Sequence, residues 1–106
     1  MKRFACHRLY VFSDGCYSNY VVELNEEDKV RTYFPLEEEI SATQWIGGVI
    51  VLSSLLDLEI GQKENFHSFL EKAVGDTDKA LYAWHLVGFD LMKGEFTPQT
   101  RLVRLR

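Results

Sequence analysis

The sequence predicts a mainly β protein with one helix: a small β-sandwich or open barrel of about six or seven strands, with its N- and C-terminal strands adjacent. Three observations lead there. Short runs rich in aromatic and β-branched residues recur between turn-forming clusters. One run, Val49-Ile50-Val51-Leu52, is apolar at every position. A single stretch, residues 62–74, carries a clear helical period. At 106 residues the chain reads as one β-rich domain over residues 1–106.

Residues 3–12 hold aromatic and β-branched side chains with no helix cap, and read as a strand. Ser13-Asp14-Gly15 is a turn, because glycine tolerates positive φ and aspartate can bond the backbone ahead of it. Residues 17–24 form a second strand, and Asn25-Glu26-Glu27-Asp28 a polar turn. In residues 29–34, Val30, Thr32 and Phe34 alternate with Lys29, Arg31 and Tyr33, the period of a half-buried strand. Pro35 ends it, having no N–H for the ladder. Residues 36–43 are acidic and irregular. Gly47-Gly48 predicts a tight bend or close backbone approach, followed by a strand buried on both faces over 49–52.

In residues 62–74, Phe66, Phe69, Leu70, Ala73 and Val74 fall on one helical stripe, with Gly75 placed for a left-handed cap. Residues 79–91 are read as a strand from the alternation of Tyr82, Trp84 and Leu86 with Ala83, His85 and Val87, although Asp78-Lys79-Ala80-Leu81 could start a helix. Residues 92–98 are a loop and 99–105 a last strand.

A formal charge of −4 argues against a dedicated nucleic-acid binder. No apolar run approaches the roughly 18 residues that span a bilayer. His7 and Arg8 stand where a secretory signal needs its apolar core, so a cytoplasmic location is expected. If the hairpin turns at 13–15, Cys16 faces Phe12 and Cys6 faces about Val22. The two thiols are then too far out of register for a disulfide.

Candidate chemistry is sparse. His7, His67 and His85 lack the short mutual spacing of metal ligands on one element. Cys6 lies among Arg3, His7 and Arg8, as an activated thiolate would, but a cysteine on an alternating strand is more often a small core residue. Ser53-Ser54 has no nucleophile-elbow frame and reads as a strand-end turn. Residues 23–39 are strongly acidic, with Glu37-Glu38-Glu39 as a solvated run. Lys2, Arg3, His7 and Arg8 in the first strand, with Arg101, Arg104 and Arg106 near the end, would form a basic stripe if those strands were neighbours. Edge protection is the first reading of such a stripe. No catalytic residue, metal ligand or cofactor is assigned.

The order of strands, then Trp45-Ile46-Gly47-Gly48-Val49-Ile50-Val51-Leu52 and Leu55-Leu56-Asp57-Leu58, resembles the small β-sandwich, or composite, domain of metal-dependent amidohydrolases. In that family a Gly-Gly-apolar strand leads into a TIM barrel through a Pro-Gly-apolar-apolar-Asp-apolar-His-x-His motif. Here Ser53-Ser54 stands in place of Pro-Gly and Glu59-Ile60-Gly61 in place of His-x-His, with no room for a barrel. The resemblance covers residues 3–58, more loosely 80–105, and implies a fold without an activity. The chain also resembles small bacterial proteins of unassigned role, which adds no mechanism. The expected function is a non-catalytic binding or scaffolding module with no enzyme activity of its own. It is expected to meet a protein partner or further copies of itself, with salt weakening the association, and neither nucleic acid nor a membrane. The alternative is a degenerate or accessory fragment of an amidohydrolase-type hydrolase.

Overall fold

The structure, a computed structural model, describes residues 2–11, 15–37, 42–75 and 79–106. Ser13 and Asp14 of the expected first turn, Glu38 and Glu39 of the acidic run, and Asp78 lie outside the described residues. The elements in chain order are β1 (Lys2–Val11), β2 (Gly15–Leu24), β3 (Val30–Pro35), β4 (Thr43–Trp45), β5 (Val49–Ser53), α1 (Phe66–Lys72), β6 (Tyr82–Val87) and β7 (Arg101–Arg104). The strands make one sheet in the order β3-β2-β1-β5-β6-β7, with β4 also on β1. The protein is thus mainly β with one helix, as the sequence predicts. Residues 82–87 settle as the strand favoured for 79–91.

β1 and β2 form a hairpin whose register pairs Tyr10 with Cys16 and Cys6 with Tyr20. The expected register was two residues off, because the last pair is Val11 with Gly15. Both cysteines are free, Cys6 buried and Cys16 exposed. The pleat of both strands breaks at the same level. Phe4 and Cys6 share a core with Leu9 and Val11, which strict alternation forbids. On β2, Val22 and Leu24 share it with Tyr20 and Tyr17. Asn19 supplies the kink with φ of 54°, opposite His7. Such paired irregularities increase twist and let a sheet curl. The curl brings Val30 and Tyr33 into one core with Ala83 and Leu105 from the far side of the sheet. Val30 N–H reaches Leu81 O (2.8 Å), yet the sheet does not close into a barrel.

β4 and β5 run parallel to β1, on the side away from β2. All five residues of β5 are buried. Ile50 and Leu52 face the inner core, and Val49 and Val51 the outer one. This placement corrects the expectation that the N- and C-terminal strands are neighbours. A strand apolar on both faces is stable only between paired strands and under cover on each side. β5 therefore takes the slot beside β1, with β6 next, and β7 is displaced to the edge. The basic residues of β1 and β7 consequently form no common stripe. Edge protection fits Arg101 and Arg104 on β7 but not β1, which is interior.

The outer face of β5 and β6 is covered by α1, where Phe69 is fully buried and Ala73 nearly so. The helix is shorter than the 62–74 stripe suggests. Lys63 has a left-handed backbone (φ 61°), and Asn65 caps the first turn by accepting from Ser68 N–H (2.8 Å). Val74 lies past the last helical turn and is exposed, while Gly75 is left-handed as expected. Ser53 ties helix to sheet: its hydroxyl donates to Ala73 O (2.6 Å) and accepts from Leu55 N–H (3.1 Å).

Candidate functional site

The joint between β4 and β5 gathers the most distinctive chemistry of the described residues. Opposite β1, residues 46–48 hold one residue more than β1 does, since Ala5 pairs with Trp45 but Arg8 with Val49. The chain absorbs the extra residue at Gly47 and Gly48, both left-handed with φ of 67° and 63°. Gly48 O accepts from the backbone N–H groups of both His7 and Arg8 (3.1 Å each), and Ala5 O from those of Ile46 (3.0 Å) and Gly47 (3.3 Å). Gly48 N–H donates to His7 Nδ1 (2.8 Å). That bond places the neutral ring's proton on Nε2. The His7 ring meets Trp45 edge to face at 4.8 Å. From the other side His85, on β6, bonds the Gly47 backbone. Two histidines 78 positions apart in sequence thus clamp one diglycine, and the clamp presents Trp45, which is 51% exposed.

Burial lowers the His85 pKa below the ordinary imidazole value, and the bond to Gly47 opposes that shift in part. The unfolded chain therefore binds this proton more readily than the folded one. Stability from His85 is full above the ordinary value near pH 6.5 and is lost as pH falls through the lower folded value. The urea midpoint of the wild type is expected to drop more between about pH 7.5 and pH 5.5 than that of His85→Gln. Parallel losses would assign the effect elsewhere.

The other sequence candidates scatter. Cys6 is fully buried with its thiol directed to Tyr20 O, and burial pushes its pKa up to about 12. It stays a thiol at neutral pH, out of reach of substrate. His67 lies on exposed α1 surface, bonded to Glu71 at 2.9 Å. No group of three or more His, Cys, Asp or Glu side chains suited to hold a metal occurs among the described residues. The acidic segment is also less free than its composition suggests. Glu23 is buried between Arg3 (3.8 Å) and Arg31 (3.4 Å), Asp28 meets Lys2 (3.5 Å), and Glu27 meets Lys29 (3.2 Å). Two groups of aromatic residues stand out: Tyr17, stacked on Tyr20, with Tyr33 tilted against both on the inner core, and Tyr10, Phe66, Phe69, Phe89 and Phe96 around α1.

Sequence reasoning missed the meeting of His7, His85 and Trp45. Its one available signal was Gly47-Gly48, which marks a close approach without naming what approaches. No family model, curated protein or solved structure matches the chain. No helix of the described residues is long and apolar enough to cross a membrane.

Proposed function

We propose that the chain is a non-catalytic binding or scaffolding module whose contact surface centres on Trp45, with a second copy of the chain as the partner. The observation behind this is a large indole left half exposed while one edge packs on the His7 ring, itself oriented by the Gly48 N–H. Pre-ordered tryptophans are favoured anchors because little side-chain freedom remains to be lost on contact. Lys2, Asp28, Glu27 and Lys29 already pair within the chain. Apolar contact is therefore expected to dominate, with less salt dependence than the composition alone suggests. Light scattering after size-exclusion chromatography is expected to show a concentration-dependent dimer. Trp45→Ala should weaken it roughly 30-fold or more, the scale of an interface hot spot. A strict monomer at every concentration would overturn the proposal.

A cytoplasmic setting belongs to the same reading, since two unpaired thiols suit a reducing compartment. The amidohydrolase-fragment reading is secondary. It draws support from the diglycine that precedes a strand buried on both faces. It has no side-by-side terminal strands to draw on, since β5 and β6 separate β1 from β7.

A further inference from the structure

A second cleft opens where the pleat of β1 and β2 breaks. The backbone N–H groups of His7 and Arg8 both turn to Gly48 O (3.1 Å each). Successive residues of a regular strand point to opposite faces, and an irregularity of this kind re-aims them. Cys6 before the pair and Leu9 after it both enter the inner core. His7 and Arg8 are both exposed, and both line one cleft of about 430 Å³. β2 breaks at the same level. Ser18 pairs with Arg8, Asn19 stands opposite His7, and both line the same cleft. Leu91 and Met92, in the turn after β6, complete the lining, and Met92 is 98% exposed.

The cleft thus holds a guanidinium, an imidazole N–H, a hydroxyl and an amide, four kinds of hydrogen-bond donor on one patch. The His7 proton is on Nε2, because Nδ1 accepts from Gly48 N–H. No Asp or Glu lines the cleft, and Arg8 takes part in no salt bridge among the described residues. Donors from two strands, with one cation and no acid, select an anion. Leu91 and Met92 add an apolar wall that a bare ion would leave unused. We propose that this cleft binds a small organic phosphate monoester, its phosphate on Arg8, His7, Ser18 and Asn19 and its organic group against Leu91 and Met92. A carboxylate has two oxygens in one plane, too few for donors spread over two strands. A phosphate presents three at tetrahedral angles. All six lining residues belong to one chain, so binding needs no second copy and stands apart from self-association.

Isothermal titration calorimetry with phenyl phosphate, inorganic phosphate and benzoate, in a phosphate-free buffer at neutral pH, tests this. Phenyl phosphate is expected to bind most tightly, with inorganic phosphate and benzoate each several-fold weaker. Arg8→Gln should weaken phenyl phosphate roughly tenfold or more, the scale of a lost hydrogen bond to a charged group. Arg101→Gln, which removes the same charge from an exposed position on β7, should leave it unchanged. Met92→Ser should weaken phenyl phosphate several-fold and leave inorganic phosphate unchanged. Arg8, Met92 and Arg101 are all exposed, so these variants are expected to fold, with circular dichroism as the check. The proposal is overturned if neither phosphate compound binds at millimolar concentration, if benzoate or inorganic phosphate binds as tightly as phenyl phosphate, or if Arg8→Gln and Arg101→Gln bind alike.

Discussion

Phe69→Ala is expected to destabilise the protein by about 3–5 kcal/mol, the range for truncating a fully buried phenylalanine. Phe69 has no exposed surface. It belongs to the outer core with Val49, Val51, Trp84 and Leu86, and its ring meets Phe96 edge to face at 5.7 Å. Truncation removes the main wedge between α1 and the sheet, and a helix of seven residues has little stability without that packing. A domain of ordinary stability has about 5–15 kcal/mol in total, so this one change removes a large share. In a urea titration the midpoint should fall while the slope stays constant. Val74→Ala, on the exposed side of the helix end, should change the midpoint little. Equal costs at the two positions would mean that α1 does not pack by the face described.

The Phe69 stripe was legible because helical period is a local property, readable within a dozen residues. The helix ends were less so. Asn65 is a good cap in the sequence, but the polar run Gln62-Lys63-Glu64 before it suits a helix equally well, the apolar stripe continues to Val74 beyond the last helical residue, and the left-handed Lys63 carries no chemical mark. The burial of β5 on both faces was also readable, since four branched apolar residues leave no polar face. Its position in the sheet was not. β1 and β5 pair across about 40 residues, and the parallel crossover that brings them together depends on which strand needs double cover, not on any local pattern. The pleat break was hidden for a similar reason. His7-Arg8 and Ser18-Asn19 look like ordinary exposed strand residues until their opposition is known. The candidate corner suffered most, because His7, Trp45 and His85 come from three different strands and become neighbours only once β4 and β5 pair with β1 and β6 pairs with β5.

The diglycine is where fold and proposed contact surface meet, so its replacement should disturb both. In Gly47→Ala/Gly48→Ala each residue would have to hold a left-handed backbone, at about 1–2 kcal/mol apiece. The added methyls also meet neighbours. At Gly47 the new carbon would lie 3.2 Å from His7 Cε1 and 3.6 Å from Trp45 Nε1, and at Gly48 3.4 Å from His85 Nε2. The expected loss is therefore at least about 2–4 kcal/mol, with the His7 ring forced off Trp45. Gly94→Ala separates the two contributions, because Gly94 has nearly the same backbone (φ 66°) with open space around it. It should show the backbone cost alone and leave Trp45 emission unchanged. The double variant should lose more than twice the stability that Gly94→Ala loses, because it carries two backbone costs, and shift the Trp45 emission in a Trp84→Phe background. If it loses only twice as much as Gly94→Ala and leaves the emission unchanged, the histidines do not clamp the joint, and the packing invoked for the Trp45 surface goes with them.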